Sequence, residues 1–323
     1  MSTILVTGAS GFVGSHVVPA LIGAGHRVVA LSRTEASGRR VLDRLAPGDR
    51  TGVEVRVADV TKPASLPPTL AGIDAVVHLV AIPRDRNGGA SLRLINTEGT
   101  RAVVAAMRTT GVRRLVHMGA MGVEDDPELH YASSKAKAEA LVADSGLDAT
   151  ILKPSVQFGE GDGFFNTIAG LVRLSPGVVP LAGGGSARFQ PIHSDDVAAV
   201  VVRALDDSTT IRGSFDLGGP RYWTYREITR EVSKALGKRR LLVPMPVPLI
   251  RLVAGTAELV HLPFPVATDQ LRQLRLDNIG PLDLVRERFG FEPRSMEGAL
   301  GYLRQKPAEQ LSSVDRPDPT AGG

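Results

Sequence analysis

Six short apolar runs punctuate the first half of the chain: Ile4–Val6, Arg27–Leu31, Val53–Val57, Ala75–Leu79, Arg114–Met118 and Ala149–Leu152. Each has strand length and the character of a strand in a parallel sheet covered on both faces. Between the runs, apolar positions recur at helical spacing. After the first run, Val13, Val17, Leu21 and Ala24 share one helix face, so that face packs on the sheet. The helices are predicted to stop on left-handed glycines, Gly25, Gly111 and Gly146. Strand and helix in alternation predict an α/β chain with a doubly wound parallel sheet. Pro19 lies inside the first helix. An interior proline removes a backbone hydrogen bond at about 3 kcal/mol, which predicts a kink there.

From about Gly159 the pattern loosens, with Gly183-Gly184-Gly185 and prolines at 176, 180, 220, 244, 246, 248, 263 and 265. Such punctuation predicts a smaller, irregular cap on the carboxyl edge of the sheet. The expected division is residues 1–158 and 190–220 for the core, 159–189 and 221–305 for the cap. Residues 306–323, rich in Pro, Ser, Asp and Gly, read as a disordered tail.

The first run leads directly into Thr7-Gly8-Ala9-Ser10-Gly11-Phe12-Val13-Gly14. A G-x-x-G-x-x-G loop between strand and helix offers a dinucleotide pyrophosphate the helix N-terminus. Gly8 permits the tight turn, Gly11 lets backbone approach phosphate, and Gly14 lets the helix pack closely. Ser10, Phe12 and Val13 complete the loop contacts. The second run ends Ala30-Leu31-Ser32-Arg33, where an NAD site usually carries an acid. A guanidinium at Arg33, assisted by Arg39 or Arg40, pairs with a 2′-phosphate; the alternative is an ordinary surface arginine. NADP(H) is therefore favoured over NAD(H). Asp59, with Val60 beside it, either reaches the adenine amino group or caps the following turn. Ala81, after the fourth run, is the remaining expected contact on this side.

Tyr131-Ala132-Ser133-Ser134-Lys135 opens an Ala-rich helical segment. Residues four apart share a face, so the Lys135 ammonium is expected to lower the Tyr131 phenol pKa. A phenol so tuned is a general acid to a carbonyl or a base to an alcohol. The alternative is a solvated helix face.

Composition narrows the partners. The chain carries a formal net charge of +4, but its basic residues are scattered, and a nucleic-acid footprint needs clustering. There is no cysteine, which excludes disulfides, thiolate nucleophiles and cysteine-ligated metals. No metal-ligand spacing occurs, and His193 has no partner at such a spacing. The N-terminus lacks the layout of a signal peptide, so a cytoplasmic location is expected. Leu241–Ile250 is broken by prolines and falls short of the roughly 20 residues that span a bilayer. The longer segment Leu241–Leu262, near Arg239, Arg240 and Arg251, either lines the cap or makes peripheral contact with a membrane or quinone.

The loop, the Tyr131/Lys135 pair, Leu152-Lys153-Pro154-Ser155 and the stretch Arg188–Asp196 together resemble the extended and atypical short-chain dehydrogenase/reductases, the NAD-dependent epimerase/dehydratase-like proteins. Gly119-Ala120-Met121-Gly122, Pro154–Gly159, Thr268–Leu271 and Asp277-Asn278 are most similar to the branch of the 39 kDa accessory subunit of respiratory complex I and its bacterial relatives. The resemblance covers about residues 3 to 300. It implies a Rossmann core binding NADP(H) or NAD(H), Lys135 on the nicotinamide ribose, Pro154 and Ser155 near the nicotinamide, and a cap over the cleft. It matches Asn96 to an asparagine of the fourth helix, whose alternative reading is a buried polar residue bonding backbone. It also matches Arg188 to an arginine that contacts substrate phosphate in sugar-nucleotide enzymes, against the alternative of a surface arginine.

One departure stands out. Active members usually carry Ser or Thr just after the fifth strand to bond the substrate oxygen, but this chain has Gly119-Ala120. Ala120 lies at the substrate position without a side-chain donor, and loss of such a donor typically lowers turnover about 100- to 1,000-fold. Ser133 and Ser134 face away from the pair, His117 reads as a packed core histidine, His193 as a cap-junction residue, and Asp195 and Asp196 as a helix N-cap. Two functions follow as expectations. One is an NADP(H)-dependent oxidoreductase on a small carbonyl or alcohol, with Tyr131 as acid or base and Lys135 as its partner. The other is a slow or non-catalytic nucleotide-binding protein with a structural or redox-sensing role.

Overall fold

Each apolar run forms a strand: β1 (Thr3–Thr7), β2 (Arg27–Ser32), β3 (Val53–Val57), β4 (Ala75–His78), β5 (Arg114–Met118) and β6 (Asp148–Pro154). They appear in a computed structural model that describes residues 1–84, 87–245 and 277–305. Later come β7 (Gln157–Phe158), β8 (Val178–Ala182), β9 (Arg188–Phe189), β10 (Ile192–His193), β11 (Ser214–Leu217), β12 (Trp223–Thr224) and β13 (Leu241–Met245). The main sheet is wholly parallel, in the order β11-β6-β5-β4-β1-β2-β3. Strand β11, Ser-Phe-Asp-Leu, has no apolar run to announce it and gains its place by pairing with β6. The strand order reverses between β1 and β4, and in such sheets ligands bind outside the carboxyl ends at that switch point.

The helices are α1 (Phe12–Gly23), α2 (Glu35–Asp43), α3 (Ala90–Leu92), α4 (Gly99–Thr110), α5 (His130–Ala143), α6 (Phe164–Leu174), α7 (Ser194–Asp206), α8 (Tyr225–Ala235) and α9 (Leu284–Phe289). Val17, Leu21, Val41, Val197, Val201, Val285 and Phe289 form one core with the sheet, placing α1, α2, α7 and α9 on that face. Val103, Met107 and Val142 form a second core on the opposite face. Gly25, Gly111 and Gly146 have φ of +83°, +79° and +70°, the left-handed stops the sequence predicts. Helix α1 runs as one element through Pro19, because buried Val17, Val18 and Leu21 hold it on the sheet and packing outweighs the missing bond.

A third core, around Phe158, Phe165, Leu181, Trp223, Ile228 and Leu303, builds the cap. Helix α9 lies within 221–305, and its Val285 and Phe289 pack on the sheet side. The expected tail, 306–323, and Thr268–Leu271 lie outside the described residues. Among the described residues no helix is long and apolar enough to cross a membrane.

Candidate active site

The glycine loop turns where β1 ends. Gly8 has φ +73°, and a Cβ there would sit 3.0 Å from backbone atoms of Leu79 and Val80 at the end of β4. A Cβ on Gly14 would lie 2.5 Å from the carbonyl oxygens of both Gly8 and Ala9, a separation no side chain tolerates. Gly11 is the N-cap of α1, and no side chain caps the helix there, so the first-turn N–H groups are left to an anion. Phe12 and Val13 open the helix, and the Ser10 carbonyl accepts a 2.9 Å bond from Arg44 Nη1. Ala81 is exposed beyond β4.

At the end of β2, Ser32 is buried and its Oγ has no hydrogen-bond partner. Arg33 next to it is exposed. Arg44 was not anticipated from sequence; burial and the neighbouring Arg40 hold its pKa below the usual guanidinium value. Asp59 Oδ1 accepts from both the backbone N–H and the hydroxyl of Thr61, each at 2.9 Å, so the turn-capping alternative is realised. The Val60 side chain is buried and packs under Gly99, where an added Cβ would meet it at 2.9 Å.

On the other side of the switch point, α5 carries Tyr131 and Lys135. Lys135 is only 3% exposed, and its Nζ donates to the Met118 carbonyl at the end of β5 at 2.5 Å. Burial pushes the Lys135 ammonium down to about 8, while Glu139 opposes the shift. The Tyr131 phenol moves up to about 12, chiefly through burial and further through Glu139. The sequence expectation that Lys135 lowers the phenol is thus corrected. Removing a phenolate from water outweighs the attraction of a nearby cation.

Glu139, one turn beyond Lys135, was missed from sequence. Its Oε1 accepts the Ala120 N–H at 2.9 Å, and a Cβ on Gly119 would lie 2.5 Å from the same oxygen. The missing side chain after β5 is therefore the space the Glu139 carboxylate occupies. Burial raises the Glu139 carboxyl pKa, opposed by the Ala120 N–H and by Lys135 and Lys153; Lys153 itself pairs with Asp216 at 3.0 Å. The signal lay in the spacing Tyr-x-x-x-Lys-x-x-x-Glu, which lays three polar groups along one helix stripe.

Pro154 closes β6, and its carbonyl accepts from Met121 N at 3.1 Å. The Ser155 hydroxyl donates to Asn278 at 2.5 Å and accepts from Gln190 N at 3.1 Å, tying core to cap. Arg188 forms an ion pair with Asp277, Nη2 to Oδ2 at 2.5 Å, with half its side chain still exposed. Asn96 is buried and clamps Ile82 through both its N–H and C=O, while also donating to Ser134 Oγ. His117 is buried, stacked on His78, and burial holds its pKa well below the ordinary imidazole value. The expected N-cap of α7 is corrected: His193 accepts from Asp195 N. Asp195 and Asp196 belong to the first turn, where Asp195 pairs with His16 and Arg294.

Residues 4–218 match the NAD dependent epimerase/dehydratase family. The chain belongs to that family. Among curated relatives, it is 26% identical to the mitochondrial NADH dehydrogenase [ubiquinone] 1 alpha subcomplex subunit 9 of Arabidopsis thaliana, across 98% of this chain and 79% of that protein. Among solved structures, an NADPH-dependent quinone oxidoreductase of Escherichia coli complexed with NADPH has a TM-score of 0.73 at 19% identity, covering 94% of this chain and all of that one. A Thermus thermophilus UDP-glucose 4-epimerase in complex with NAD has a TM-score of 0.69 at 21% identity, covering 93% and 97%. These structural likenesses establish a shared fold, and the Rossmann-type sheet is that of the family.

Proposed function

We propose that the chain is an NADP(H)-dependent oxidoreductase that reduces a small carbonyl compound, with Tyr131 as general acid and Lys135 as its partner. One observation carries the reading: an almost fully buried ammonium, Lys135, fixed on the Met118 carbonyl one helical turn from Tyr131. A cation is expensive to bury, and perturbed groups of this kind cluster at functional sites.

The residues fit a dinucleotide. Gly8 and Gly14 admit no side chain, the first turn of α1 has no side-chain cap, and the buried Ser32 hydroxyl lacks a partner. The loop would hold the pyrophosphate, Ser32 and Arg33 the adenosine ribose and its 2′-phosphate, and Lys135 the nicotinamide ribose. Basic Arg33 and Arg44, with no acid at the end of β2, support NADP(H) over NAD(H). When bound, the nicotinamide supplies hydride. At neutral pH the Tyr131 phenol, with its pKa near 12, holds its proton and is prepared to give it to a carbonyl oxygen. Charged Lys135 orients that end of the site, and Glu139 fixes the backbone of Ala120 beside it. The exposed portion of Arg188 supports an anionic substituent on the substrate.

The test is NADPH oxidation across a panel of aldehydes, ketones and quinones with wild type and Tyr131→Phe. Loss of about 100- to 10,000-fold in kcat with unchanged NADPH affinity supports the assignment; unchanged turnover overturns it. Gly119-Ala120 and the likeness to the complex I subunit favour a second reading, a nucleotide-stabilised structural protein. That reading predicts a Tm raised by NADPH with no oxidation on any substrate.

A further inference from the structure

We propose that the face made by the end of α6, the starts of β8 and β13 and one side of α8 docks on an anionic phospholipid surface. A groove of about 590 Å³ there is lined by Arg226, Arg230, Lys234, Lys238, Arg239 and Arg240. Among the described residues only Lys234 of these forms an ion pair within 4 Å, with Glu231 at 3.7 Å. The other acid of α8 in this region, Glu227, is hydrogen-bonded to Thr224 and paired with Arg221, and feels Arg230 at longer range. Six cations of one sign in one concavity attract phosphate-bearing groups.

The rim is apolar. Leu174, Val178 and Leu241 are 70%, 47% and 64% exposed. Val178 and Leu241 are register partners across the β8/β13 pair, and Arg240 donates to the Val172 carbonyl in the last turn of α6. Exposed aliphatic side chains and an excess of cations over carboxylates therefore share one face. A nucleic acid would satisfy only the cations. The interface of an anionic bilayer satisfies both, with headgroups on the basic groove and the aliphatic side chains at the acyl boundary. This assignment is independent of the reaction at Tyr131.

Flotation of the 323-residue chain tests it, using phosphatidylcholine vesicles against phosphatidylcholine/phosphatidylglycerol vesicles at low and high salt. Binding is expected to the anionic vesicles only, weakening with salt. Each basic residue near the surface contributes about fivefold, so Arg230→Gln/Lys234→Gln/Arg239→Gln loses about 100-fold. Leu174→Ser/Leu241→Ser, at exposed positions that leave Tm unchanged, loses about tenfold. Absence of binding to anionic vesicles in the folded wild type overturns the proposal. So does binding that ignores the leucine changes while a DNA duplex competes equally well, which would mark a polyanion site.

Discussion

The glycine loop and the Tyr131 pocket sit on the same edge of one sheet and rest on opposite physics. At the loop, the proposed binding rests on backbone and on what is absent: no Cβ at Gly8 or Gly14, and no side-chain cap on α1. At the pocket, the proposed chemistry rests on charged side chains taken out of water, Lys135 above all. The loop depends on sterics, which a sequence states through glycine alone. The pocket depends on desolvation, which exists only once other elements close around it.

Gly14→Val is the largest test of the contrast. Its side chain would collide with two carbonyl oxygens, so stability should fall by about 3 kcal/mol or more, read as a lower denaturation midpoint, with NADPH binding lost. A variant of wild-type stability would break the steric account.

Lys135→Met should act in the opposite direction on stability. With the folded-state pKa near 8 against an ordinary 10.5, the native protein binds fewer protons than the unfolded chain between those values. Wild-type stability should therefore rise from pH 8 to 10.5. The methionine variant should lose that slope and gain about 1–3 kcal/mol at pH 7, while turnover collapses. Denaturant titrations across this pH range check both statements.

Glu139→Gln sharpens the pocket without emptying it. Removing the carboxylate charge withdraws support from the Lys135 ammonium, so the alkaline limb of the pH–rate profile should move to lower pH. Glu139→Ala also leaves the Ala120 N–H unpaired, lowering stability by about 1–3 kcal/mol. The smallest effect belongs to the loop side: Arg33→Ala should weaken NADPH about tenfold relative to NADH, about 1.4 kcal/mol, measured by parallel titrations.

Much of the sheet was legible because a strand buried on both faces must be an apolar run. Strand β11 was not, since Phe215 and Leu217 alone cannot announce an edge strand that β6 recruits. His193 as the cap of α7 was hidden because aspartates are the usual N-cap residues, and Arg294, distant in sequence, draws Asp195 away. Glu139 was written in the spacing after Lys135, but its partner is the Ala120 amide 19 positions earlier.

The sequence by itself determined the alternation of β1 to β6 with the helices between them, the glycine loop and the spacing of Tyr131 and Lys135, because these follow from local periodicity and from glycine's lack of a side chain. Only the tertiary structure decided what fills the space at Gly119 and which way the pKa values move. Both depend on which groups from β5, β6 and α5 exclude water together, and burial is a property of the assembled fold.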